Sequence, residues 1–388
     1  MNESGQTDFT SLREKARKAI APIKPADENT KSKQDLLFSG KRAISAKELP
    51  PPYLIYFLLV ELLNFKDLGR FEKIAWSIPV DVNGKAFLIE HRKFGVGIFI
   101  QEDGDEAVAK QIALQLHKGI RCAKPYYTWK ANAAVAASKF NVINSSADLL
   151  GRYTNLKSLY QNKNAEAIKR KDEIIETEVG NGKNLYWPRF DLNREASWLG
   201  ISAVEAFFSW TEHVFVHFAI LNGTVQTGEA FSKISGDEWG SKFKSAVNLS
   251  VHGMKKHYDK LIELRRQVRN FISHGAFGRD GKTLLFHSSA GAVPVIHDVT
   301  ESQANFTLGE SLSFDAPAAF LAIEKFISDL KTGANEPAWL YVQEYGLPSI
   351  MTMAQDGSYS DAIKSSQSMN ELAEYLSKQI DDATNMDW

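Results

Sequence analysis

Arg269, Asn270 and His274 close a run whose apolar residues, Leu261, Leu264, Val268 and Ile272, recur at steps of three and four. Such steps make one buried stripe on a helix, and the polar trio lies mostly off it. Asn270 and His274 are four apart and stack on one face, with Arg269 one position round. A guanidinium, an amide and an imidazole therefore project from the last turns of one helix. Arginine grips a phosphate with two parallel hydrogen bonds. Histidine moves protons near neutral pH. Together they suit cleavage of RNA without a metal: a base for the ribose 2′-hydroxyl, an acid for the leaving oxygen and a cation for the phosphorane. One histidine does not easily serve as acid and base in the same step, so two copies brought together by a dimer would supply the pair. The plainer alternative is that Arg and His complement the negative end of the helix dipole.

A second helix supplies the expected wall of this site. Between Asp191 and Leu221 the polar residues Ser202, Glu205, Ser209, Glu212 and His213 fall within a sector about 100° wide. The rest of that helix is apolar, with Ile201, Val204, Phe207, Phe208, Trp210, Val214 and Phe215. Two carboxylates on so apolar a helix need partners, because unpaired buried charge is costly. Arg265 and Arg269 are the natural ones. Either an ion-pair network or an active-site wall satisfies that need. The pattern predicts that 191–221 and 239–274 run as antiparallel neighbours, with Glu205 and Glu212 near Arg265 or Arg269.

The run Arg269-Asn270-Phe271-Ile272-Ser273-His274 resembles the Arg-x4-His signature of the HEPN superfamily, including the polar residue directly after the arginine. Its placement, ending a long helix that follows a long apolar helix bearing glutamates, is similar too. The resemblance covers roughly 140–331 and is strongest over 190–275. It implies a helical bundle that acts as a metal-independent endoribonuclease, in phage defence or as a toxin. It implies a homodimer with a composite active site, an RNA substrate, and an antitoxin or trigger protein as a further partner. His274 would act as acid or base and Arg269 would stabilise phosphoryl charge. Asn270 would orient His274 or contact phosphate, while Glu205, Glu212 and Arg265 support the site. No cofactor and no metal are expected. The alternative is a non-catalytic HEPN-like scaffold that holds a nucleotide or a partner.

The composition agrees with a globular protein. The 388 residues carry 46 Lys plus Arg against 47 Asp plus Glu, a net charge of −1. A chain held on nucleic acid by bulk charge is thereby excluded, though not one with a local basic groove. Cys122 is the single cysteine, which excludes an intrachain disulfide and a cysteine-rich zinc site. The opening MNESGQTDFT lacks the features of an export signal. Trp198–Leu221 is long enough to span a bilayer, but Glu205, Glu212, His213 and His217 make that costly. The expectation is a cytoplasmic protein without membrane contact.

The predicted fold is mainly α, a HEPN-like helical bundle with a small N-terminal α+β module and a β-hairpin insertion. Residues 1–34 read as a polar segment and linker, and 35–125 as the α+β module, which would sense a trigger or restrain the nuclease. Residues 126–331 read as the helical domain and 332–388 as a helical tail. Asn83-Gly84 marks a hairpin. The interleaved charges of 165–178 read as a solvated helix face. Thr283–His287 and Ala292–His297 form the inserted hairpin. Among weaker signals, His213 and His217 have a zinc-compatible spacing but read as core or hydrogen-bonded histidines. Phe94-Gly95-Val96-Gly97 reads as a turn rather than a phosphate loop. Tyr126, Tyr127 and Trp129, beside Lys124 and Lys130, read either as base-stacking residues or as a core edge.

Overall fold

A computed structural model describes residues 8–33, 36, 40–44, 49–180, 182–273, 284–289, 291–298, 305–308 and 315–387, and gives the backbone alone for 270–273, 284–286, 292–298 and 305–308. Helices predominate, beside a small antiparallel sheet. The chain packs as two compact units. One holds the residues up to Ala137 together with those from Tyr375 on, and the other is Ser138–Glu374.

The first unit begins with α1 (Thr10–Ile20), β1 (Lys24–Pro25) and β2 (Lys41–Arg42). Next comes α2 (Pro52–Tyr56), which continues as a π-helical turn through Leu62. Then follow β3 (Ile74–Val82), β4 (Lys85–Arg92), β5 (Gly95–Ile100), α3 (Glu106–Cys122) and α4 (Lys124–Ala136). The five strands make one sheet in the order β1-β3-β4-β5-β2. Asn83 and Gly84 both take positive φ, 57° and 83°, the geometry that lets a two-residue turn follow the strand twist. On the helix-covered face, Trp76, Ile78, Val80, Phe87, Ile89 and Ile98 share one buried cluster with Ile20, Ile55, Leu58, Leu62, Ile112 and Leu116. Gly119 of α3 is a close approach. A Cβ there would sit 2.4 Å from Ile20 and 2.8 Å from Leu58, so only glycine lets these helices meet.

In the second unit β6 (Asn141–Val142) precedes α5 (Ser146–Lys169). A hairpin of β7 (Ile175–Val179) and β8 (Gly182–Tyr186) leads into α6 (Pro188–Leu221). Pro188 opens α6 at a position where its missing N–H costs nothing. Further on lie α7 (Gly228–Gly236), α8 (Trp239–Ala246), α9 (Met254–Ser273) and a three-stranded sheet of β9 (Leu284–Ser288), β10 (Gly291–Asp298) and β11 (Asn305–Leu308). After them come α10 (Ala316–Leu330), α11 (Glu336–Trp339, continuing as a π-helical turn), β12 (Ser349–Ile350), α12 (Met351–Gln355), α13 (Ser358–Ala362) and α14 (Ser366–Asn385), whose residues from Tyr375 on belong to the first unit. The core is aromatic. Phe215 of α6 packs on Trp239, Phe243 and Phe326 with ring centroids 5.6, 5.1 and 6.3 Å away. Leu261, Leu264 and Val268 of α9 are buried, as their spacing requires. Gly253, at φ 86°, lies in the turn that separates α8 from α9. The inserted hairpin forms with Gly291 opposite Ser288, and β11 widens it.

The expected division at 34, 125 and 331 differs from this packing. Of the expected linker 1–34, the described residues 8–33 belong to the fold: Ala16 and Ile20 are fully buried and Lys24-Pro25 pairs with Asp81-Val80. Residues 124–136 join the first unit, since Tyr126 donates to Glu61 at 3.0 Å. The stretch after 331 is integral too. β12 pairs with β6, Tyr341 and Met351 are fully buried, and Lys93 Nζ donates to Asn385 Oδ1 at 2.9 Å. The charged run 165–178 is also corrected. α5 stops at Lys169, and Ile175-Glu176-Thr177-Glu178-Val179 is an exposed strand. Its strict alternation and β-branched residues outweigh the charge pattern, and Gly180 turns at φ 61°.

Candidate functional site

The polar face of α6 meets α9 through one carboxylate. Glu212 Oε1 accepts from Arg265 Nη2 at 2.9 Å, and Glu212 Oε2 lies 3.4 Å from Lys242 Nζ of α8. Lys242 is buried. The Arg265 guanidinium rests 5.9 Å from the ring centroids of both Phe208 and Trp239. Trp239 is fixed in turn, its Nε1 donating to Thr211 Oγ1 at 2.8 Å. α9 runs back along α6. Tyr258 lies beside Phe243 and Arg265 beside Glu212, while Arg269 shares a cleft with Glu205. The expected antiparallel pairing is therefore present, with α8 lying against both helices.

That cleft has a volume of about 800 Å³. Glu205, Ser209 and Glu212 line it from α6, Trp239, Ser241 and Lys244 from α8, and Tyr258, Arg265, Arg266 and Arg269 from α9. Its charges are mixed, which divides its cations into two kinds. Arg265 is neutralised by Glu212, and Arg266 lies 3.1 Å from Glu263. Arg269 is exposed and makes no hydrogen bond or ion pair among the described residues. Glu205 is likewise exposed and bonds no arginine among the described residues. Of the two glutamates expected to hold arginines, Glu212 does so and Glu205 only lines the same cleft. Asn270 stands on the last turn of α9 with its side chain outside the described atoms, and His274 lies outside the described residues. Sequence reasoning missed Lys242. Its signal is a lysine set in the buried stripe of Trp239, Phe243 and Ala246.

Half-buried His213 and buried His217 of α6 form a hydrogen-bonded pair. His213 Nε2 accepts the Ser145 N–H at 2.9 Å and lies 3.2 Å from His217 Nε2. The proton between the rings therefore belongs to His217, whose Nδ1 accepts from the Ser349 hydroxyl at 2.7 Å. Burial lowers the pKa of both, and burial with the neighbouring His213 takes His217 down to about 3. Among the described residues, no group of three or more His, Cys, Asp and Glu side chains could hold a metal. Nor is any described helix long and apolar enough to cross a membrane.

The remaining signals resolve into structure. Gly95 turns at φ 100° into β5. Tyr126 is buried, Tyr127 donates to the Leu54 carbonyl at 3.2 Å, and Lys130 pairs with Glu61 at 2.6 Å, the arrangement of a core edge. No protein-family model, curated protein or solved structure matches the chain.

Proposed function

We propose that this chain is a metal-independent endoribonuclease of HEPN type, acting in phage defence or as a toxin by cleaving cellular RNA. The observation that carries the reading is the pair of roles taken by two arginines one turn apart. Arg265 is tied to Glu212 at 2.9 Å, while Arg269 presents a free guanidinium among the described residues of an open cleft. The first arginine anchors the helix and the second is left for an anion. In the reaction one His274 accepts the 2′-hydroxyl proton as the 2′-oxygen attacks phosphorus. The 5′-oxygen leaves, protonated by the His274 of a second copy, and a 2′,3′-cyclic phosphate remains. Arg269 holds the charge on the phosphorane, and Asn270 orients His274 or contacts phosphate. Glu212 holds Arg265, and Glu205 forms part of the cleft wall. The homodimer follows from the need for both acid and base, and a twofold contact brings identical patches together. An antitoxin or trigger protein completes the system, with the first unit sensing the trigger or restraining the nuclease.

The deciding experiment incubates the purified chain with total RNA and with tRNA in EDTA, beside a His274→Ala variant. Cleavage lost in the variant supports the reading, and RNA left intact by the unaltered chain removes it. A second reading, a non-catalytic scaffold that holds a nucleotide or a partner, is favoured by the ion pairs that occupy Arg265 and Arg266. It predicts binding without strand cleavage.

A further inference from the structure

The polar face of α6 extends beyond the cleft. Phe190, Arg194, Trp198, Ser202, Glu205 and Ser209 follow one another at steps of three and four, so at about 100° per residue they keep within one third of the helix circumference. The upper part of that face is aromatic and exposed: Phe190 and Trp198 each leave 58% of their surface to solvent. Both rings carry a guanidinium beside them, Arg189 at 4.8 Å from the Phe190 centroid and Arg194 at 5.6 Å from that of Trp198. Neutral Asn193 and Ser197, both exposed, separate the rings. Two acids fall on this stretch: Asp191 is held by Arg194 and by the Tyr186 hydroxyl at 2.6 Å, and Glu195 pairs with Lys163 at 2.7 Å.

We infer that the face of α6 from Phe190 to Trp198 is a binding track for single-stranded RNA that leads into the cleft at Arg269. The inference rests on the ribonuclease reading for the identity of the ligand. Single rings spaced along a helix and interrupted by polar residues suit isolated bases, each of which offers a π-face. A helix that docks in a protein groove presents a continuous apolar stripe instead. The guanidiniums beside the rings lie where the phosphates of a stacked strand pass. At about 1.5 Å per residue, Trp198 stands roughly 10 Å from Glu205, so the strand passes from the rings to the cleft in a couple of nucleotides.

The test uses the full chain with His274→Ala, so that the probe survives. Binding of a short, fluorescein-labelled, unstructured RNA is followed by anisotropy in EDTA, with the same sequence as a duplex for comparison. Adding Phe190→Ala or Trp198→Ala should raise Kd for the single strand about tenfold each, the usual scale for one stacked base. Trp198→Tyr should restore most of the binding, and the duplex should bind more weakly with no response to either change. An unchanged single-strand Kd, or an equal loss on the duplex, overturns the track. So does light scattering in which Trp198→Ala lowers the mass of the assembly, because the face is then a protein contact. The two readings fail separately. An unaltered chain that spares RNA while these rings still govern single-strand binding removes the nuclease and keeps the track. A cleaving chain indifferent to Trp198 removes the track alone.

Discussion

Glu212 Oε1 and Arg265 Nη2, 2.9 Å apart, join the apolar helix α6 to the helix that carries Arg269, and the same carboxylate faces the buried Lys242. The two cations differ in exposure, so the partners of Glu212 are unequal. Arg265→Ala removes a half-exposed pair and should cost about 1 kcal/mol or less. Glu212→Ala strands the ammonium of Lys242 and should cost more, about 1–3 kcal/mol. Urea unfolding of the two variants measures the difference, and equal losses would show that Lys242 does not depend on Glu212.

Arg269 is expected to separate activity from stability. Because it is exposed and unbonded among the described residues, Arg269→Ala should leave Tm within a degree or so of the parent, as surface changes do. RNA cleavage should nonetheless be nearly abolished, and His274→Ala should lose about 10²–10⁴ in rate. Arg269→Lys should also be poor, because an ammonium is a point charge rather than a fork. A variant that melts early and still cleaves would sink the assignment.

The composite site makes assembly a condition of activity. Light scattering should find a dimer, with residues 265–275 near its twofold axis. Mixing His274→Ala chains with unaltered chains should lower activity below simple dilution, because a mixed dimer holds only one of the two His274 side chains that the reaction needs. A chain that remains monomeric at micromolar concentration and cleaves at full rate would overturn this. The pH profile should be bell-shaped, with one protonated and one neutral His274 required.

The pair of half-buried His213 and buried His217 predicts acid sensitivity. In the folded chain both pKa values lie below the unfolded value of about 6.5, with His217 near 3. Above pH 6.5 both rings are neutral in either state, and the pair's full contribution is present. Below it the unfolded chain takes up protons that the folded chain refuses, so stability falls as pH drops toward the folded values. For His217 the loss between pH 6.5 and 5 should reach about 2 kcal/mol. Urea midpoints across that range should slope less steeply in His217→Gln. Identical slopes would show that the pair carries no such linkage.

Much of this structure is local chemistry that residue order alone determines. The Asn83-Gly84 turn needs only two residues tolerant of positive φ, and the stripe Leu261, Leu264 and Val268 needs only helical periodicity. The carboxylate face of α6 and its demand for arginine are legible in the same way, because an acid on an apolar helix must find a cation. Which arginine answers is not. Arg265 and Arg269 sit one turn apart on the same helix, and the packing of α9 on α6 brings Arg265 to the carboxylate that Lys242 also faces. That register depends on how the rings of Phe215, Trp239, Phe243 and Tyr258 interlock, a property of three helices together rather than of any one sequence window. Long-range pairing is hidden for the same reason. Lys24-Pro25 and Ser349-Ile350 are too short to announce themselves as strands. Each becomes one only when a distant edge, β3 or β6, supplies the missing hydrogen bonds. Residue spacing thus determined which faces are apolar and which groups need partners, and tertiary packing decided which partner each one met.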